Sequence, residues 1–214
     1  MNKVTSHFLE NLKQREDVLG VIMFGSRARG NDRPDSDVDL VVILIEGFRR
    51  AIEYHQGQAF EIVYTTPEGA IAYWKSHIDD AFGLWAVAKI LYDKDGSIGE
   101  LKNEIQQILD KGKKPIDEFQ LGQFRFDAED TMRYVGHIVD TDPTTANFIL
   151  SNKIFTLTEL FFDIRQLWIP APKQRLEKII EISPDLYNLL TEFYSRKDFK
   201  ERLETAKSIV PLVF

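Results

Sequence analysis

The first half of the chain alternates short apolar runs with polar breaks, and the second half changes period. Residues 3–16 place Phe8, Leu9 and Leu12 on one stripe with charge elsewhere, which predicts an amphipathic helix. Leu19 to Phe24 is an unbroken apolar run that stops at Gly25, as a strand buried on both faces does. Arg27 to Gly30 predicts a short helical turn, and Asn31 to Ser36 a loop of Pro, Asp, Asn and Ser. Val38 to Ile45 is dense in β-branched residues and reads as a second strand. Ala59 to Thr65 partly alternates and reads as a third. Thr66 and Pro67 look like the cap and first residue of a helix. Trp85 to Tyr92 fits strand and helix equally, and Ser97 to Lys111 is expected to be helical.

Lys111 to Ile116 carries Gly, Pro and charge without periodicity, so it reads as a linker. Beyond it, Asp117–Val139, Thr144–Trp168, Lys173–Glu181, Pro184–Ser195 and Asp198–Ile209 all have helical spacing. Pro143, Pro170, Pro172 and Pro184 punctuate them. The pattern predicts an α/β half followed by a helical bundle, divided near residue 115.

Composition narrows the classes of function. Hydrophobic residues are 43% of the 214, enough for a sizeable core. No apolar run reaches the ~18–20 residues of a membrane span. The opening segment lacks the apolar stretch of a signal peptide. Cysteine is absent, which excludes disulfides and thiolate metal sites and suits a cytoplasmic protein. The formal net charge is −7, with 15 basic and 18 acidic residues in 1–114 and 12 and 16 in 115–214. Neither half is basic, which argues against a long nucleic-acid substrate and favours a cationic small molecule.

The candidate chemistry lies between Phe24 and Val42, FGSRARGNDRPDSDVDLVV. Gly25 and Ser26 follow a buried strand, where a glycine lets the backbone approach phosphate oxygens and the hydroxyl can donate to them. Asp37 and Asp39 are two apart at the start of a strand, so both carboxylates face one side and can converge on a hard cation. Arg27, Arg29 and Arg33 add positive charge beside the proposed phosphate site, and Arg27 or Arg29 could pair with a phosphate oxygen. Glu61 is the lone acid in its apolar strand and is read as a third metal ligand or as a general base. His7, His55, His77 and His137 have no zinc-ligand spacing. No P-loop or Gly-x-Gly-x-x-Gly fingerprint occurs, so a nucleotide would be held through metal and the Gly25-Ser26 turn.

Gly-Ser, ten residues from Arg27 to Ser36, then Asp37-x-Asp39 resembles the signature of the DNA polymerase β-like nucleotidyltransferase superfamily. The Gly-Ser-Arg-Ala-Arg-Gly wording is similar to bacterial small-molecule members of the aminoglycoside, or kanamycin, type. The resemblance implies an α+β catalytic domain over 1–114, a mixed sheet with flanking helices, and an all-α bundle over 115–214 that helps form the acceptor site. It implies Mg²⁺ on Asp37, Asp39 and Glu61, and a nucleoside triphosphate, with ATP expected, near Gly25, Ser26, Arg27 and Arg29. Lys153, early in a long helix of the bundle, would reach the triphosphate as a helical lysine does in some relatives. The expected reaction transfers a nucleoside monophosphate to a hydroxyl of a small-molecule acceptor such as an aminoglycoside and releases pyrophosphate. Two alternatives stand beside it: antitoxin-like adenylylation of a protein partner, and a non-catalytic nucleotide-binding regulatory module. A homodimer is compatible with this organisation.

Overall fold

The computed structural model describes residues 2–214. They divide into two compact units, one ending at Lys111 and the other Gly112–Phe214. The first runs α1 (Lys3–Lys13), β1 (Val18–Phe24), α2 (Gly25–Arg29), β2 (Val38–Leu44), β3 (Arg49–His55), β4 (Gln58–Thr65), α3 (Pro67–Ser76), α4 (Ile78–Trp85), β5 (Lys89–Asp93) and α5 (Ser97–Leu109). Its sheet has the order β3-β4-β2-β1-β5. β2 and β4 are parallel, and the other neighbours are antiparallel.

Strand alternation sends each side of the sheet into its own core. Val38, Leu40 and Val42 of β2, with Phe60 and Ile62 of β4, pack against Phe8, Leu9 and Leu12 of α1. Phe8 and Phe60 stack with ring centroids 4.1 Å apart, and full burial of one such ring stabilises by roughly 1.5–3 kcal/mol. On the other side Ile22, Val41 and Ile43 meet Ala70, Trp74, Ala81, Trp85, Ile98, Leu101 and Ile105 of α3, α4 and α5. Asp39 shares the face of Val41 and Ile43 but lies one step nearer the start of β2. There it is half-buried where its apolar neighbours are buried.

Two differences from the sequence reading stand out. β3 is a full edge strand where no strand was predicted, and its hairpin with β4 turns through Gln56 and Gly57, both at positive φ. The ambiguous Trp85–Tyr92 stretch holds a helix end and a strand: α4 closes at Trp85 and β5 opens at Lys89.

The second unit is helical: α6 (Glu118–Ile138), α7 (Pro143–Ile164), α8 (Pro172–Ile182), α9 (Pro184–Ser195) and α10 (Phe199–Val213). Asp117, Asp142, Ser183 and Asp198 cap four of these helices with side-chain oxygens, and Pro opens α7, α8 and α9. One core joins them, with Leu150, Ile154, Phe161, Ile179, Leu190, Phe193 and Ile209 fully buried. Among the described residues, no helix is long and apolar enough to cross a membrane.

Candidate active site

Three strands and one turn build the site. Parallel pairing sets Asp39 of β2 directly beside Glu61 of β4, so both side chains leave the same face. Antiparallel pairing sets Phe24, the last residue of β1, on the other side of Asp39. The chain then turns sharply at Gly25, whose φ of +74° is left-handed. A Cβ on Gly25 would lie 1.7 Å from Asp39 Oδ2, so the turn and the carboxylate are packed without room for any side chain. Asp37 precedes β2 and is exposed.

Asp37, Asp39 and Glu61 each offer a carboxylate oxygen, and the three oxygens lie within 4.8 Å of one another. Like charges at such a separation repel by about 1 kcal/mol in water and about 3 kcal/mol at an effective dielectric of ~20. An all-oxygen set of three carboxylates at a half-exposed strand end suits a hard divalent cation, which would relieve that repulsion. The residues present therefore fit the magnesium that the sequence pattern implies.

The cationic side chains are placed unequally. Arg50, on the edge strand β3, pairs with Glu61 across the sheet and answers one of the three charges. The hydrogen bond to Glu61 in turn raises the Arg50 pKa above the ordinary guanidinium value. Arg29 is half-buried at the end of α2, and Ser26 is half-buried in its first turn. Arg27, expected near the phosphate, donates to the Asp32 carboxylate, to Gln58 Oε1 and to the carbonyls of Ser36 and Asp37, which ties it to the loop before β2. Arg33 is exposed near Asp35. Lys153 belongs to the second unit, on α7, and its ammonium pairs with Asp127 of α6. Both line a groove of about 280 Å³ with Phe124, Thr156, Leu157 and Leu160.

The sequence reading missed Arg50 because it missed β3. The usable signal was the Gln56-Gly57 pair between two segments of strand-like composition, a two-residue hairpin turn.

Residues 6–116 match the nucleotidyltransferase domain family. Among curated proteins, "Putative protein adenylyltransferase MJ1305" of Methanocaldococcus jannaschii is 40% identical over 129 residues, covering 54% of this chain and 87% of its own. Among solved structures, a nucleotidyltransferase-like protein from Exiguobacterium sibiricum aligns with 98% of this chain and 72% of its own. Its TM-score is 0.52 at 13% identity, a likeness of fold. A spectinomycin adenyltransferase from Enterococcus faecialis aligns with 98% of this chain and 96% of its own at 12% identity, but its TM-score of 0.38 is too low to bear on function. With more than half of its length matched to the family, and with the acidic cluster and glycine turn assembled at one strand end, the chain is a nucleotidyltransferase and belongs to the nucleotidyltransferase domain family.

Proposed function

We propose that this enzyme transfers a nucleoside monophosphate, with ATP the expected donor, to a hydroxyl on a protein side chain in a metal-dependent reaction. The observation that carries the reading is the convergence of Asp37, Asp39 and Glu61 beside the Gly25 turn. Asp37, Asp39 and Glu61 would hold Mg²⁺. When bound, that ion offsets the charge of the triphosphate and of the departing pyrophosphate. The Gly25-Ser26 turn and Arg29 bind and orient phosphate oxygens. The acceptor oxygen forms a bond to the α-phosphorus, the bond to the β-phosphate bridging oxygen breaks, and pyrophosphate leaves. Glu61 is assigned as the base that takes the hydroxyl proton.

The choice of a protein acceptor is supported by the 40%-identical relative from Methanocaldococcus jannaschii, "Putative protein adenylyltransferase MJ1305". A small hydroxylated cation is the second reading, favoured by the excess of 16 acidic over 12 basic residues in 115–214. Incubation with α-³²P-labelled ATP and Mg²⁺ separates the two: label moves to protein bands in a host lysate in the first case, and to an aminoglycoside panel in the second. Asp37→Ala and Asp39→Ala should each lower either transfer at least about a hundredfold, since loss of even a ligand's supporting group costs 10- to 100-fold. Their circular dichroism should match the wild type. Undiminished transfer in the double variant would remove the site from the reaction.

A further inference from the structure

The backbone of Asp39 and Glu61 is fixed by sheet pairing, but that of Asp37 is not. Asp37 is the last of the eight loop residues between α2 and β2 and is exposed. Something else must fix it, or the entropy of ordering a loop residue would oppose convergence with the other two carboxylates.

The Ser36 carbonyl, immediately before Asp37, accepts hydrogen bonds from two distant elements. Arg27 on α2 donates to it through Nη2 at 2.6 Å and Nε at 3.2 Å. Gln58, the first residue of β4, donates to it through Nε2 at 3.0 Å. Arg27 Nη2 also donates to Gln58 Oε1 at 3.0 Å, which ties the two side chains together. Arg27 Nε reaches the Asp37 carbonyl at 3.0 Å, and Nη1 reaches Asp32 at 3.1 Å. Only 16% of the Arg27 side chain is exposed. A planar fork that meets a carboxylate, two carbonyls and an amide at once is geometry that lysine cannot copy.

We propose that Arg27 and Gln58 are positioning residues for Asp37: they clamp the Ser36–Asp37 backbone between α2 and β4 and so aim the Asp37 carboxylate at Asp39 and Glu61. Phosphate contact is left to Ser26 and Arg29. The proposal rests on the reading of the three carboxylates as a cation site.

The test measures amide hydrogen exchange of residues 31–38 and the Mn²⁺ affinity of the folded protein by electron paramagnetic resonance. It compares wild type, Arg27→Ala, Arg27→Lys, Gln58→Ala and the Arg27→Ala/Gln58→Ala pair, with Asp37→Ala as reference. Arg27→Ala should speed exchange across the loop and weaken Mn²⁺ binding about 10- to 100-fold, the usual cost of losing a group that orients a ligand. Gln58→Ala should act in the same direction, and the double variant should fall short of the sum, because both side chains hold one carbonyl. Arg27→Lys should keep the charge and still show the fast loop. The affinity for α,β-methylene-ATP in metal-free buffer should not change. Slow exchange retained in Arg27→Ala and Gln58→Ala overturns the clamp. So does unchanged Mn²⁺ affinity combined with weaker metal-free nucleotide binding, which would make Arg27 a phosphate ligand. If Asp37→Ala binds Mn²⁺ as the wild type does, the cation site is refuted, and the exchange data alone decide the clamp. If Arg27→Ala does not fold, Gln58→Ala and Arg27→Lys carry the test.

Discussion

Gly25 ties conformation to chemistry more tightly than any other single residue here. Its left-handed φ, and the mere 1.7 Å that would separate an added Cβ from Asp39 Oδ2, mean that even one methyl group must move the turn or the carboxylate. Gly25→Ala should therefore fold but lose about a hundredfold in turnover, the scale expected when a reacting group is displaced by about an ångström. Steady-state kinetics and a melting curve on the same sample check this, and a drop in melting temperature with turnover intact would contradict it. Asp37, Asp39 and Glu61 were legible in the sequence because charge inside or beside an apolar strand is costly unless something uses it. The work of Arg27 was not legible. Its partners Ser36 and Gln58 are nine and 31 residues away, and only the folded loop brings their carbonyl and amide to one guanidinium.

At the scale of elements, strands whose apolar residues face a core were visible, and β3 was not. β3 exposes Arg50, Ile52 and Tyr54 and turns Ala51, Glu53 and His55 inward, the reverse of the pattern that marks a half-buried strand. Its position is set by the hairpin with β4 instead of by burial. The capped helices of the second unit were easier, because caps and prolines announce themselves locally. Asp142 caps α7, and its hydrogen bond with Thr145 holds its carboxyl below the usual range. A depressed carboxylate stabilises the fold above its unfolded pKa, and that contribution disappears as pH falls through the folded value. Asp142→Ala should thus lower the melting temperature at pH 7, and the deficit should shrink below about pH 4. A deficit that stays constant across that window would contradict the assignment.

Among the described residues of the molecule, the buried apolar side chains form three clusters. Two lie on either side of the sheet in the first unit, and the third joins the five helices of the second. Each unit thus has what independent folding requires, its own apolar core. The fragment 112–214 should melt in one cooperative transition, and within it Phe161→Ala should cost roughly 3–5 kcal/mol, as for a fully buried aromatic side chain. Far-ultraviolet dichroism against temperature checks this; a fragment without a transition would mean that its core is incomplete alone. The candidate active site is a product of the first unit's sheet: two neighbouring strands supply Asp39 and Glu61, and the loop before β2 supplies Asp37. The most direct test of that account is an anomalous-scattering map from crystals grown with Mn²⁺ and α,β-methylene-ATP. A peak is expected in contact with oxygens of Asp37, Asp39 and Glu61 and with the triphosphate. A bound nucleotide whose manganese lies away from these three carboxylates would contradict it.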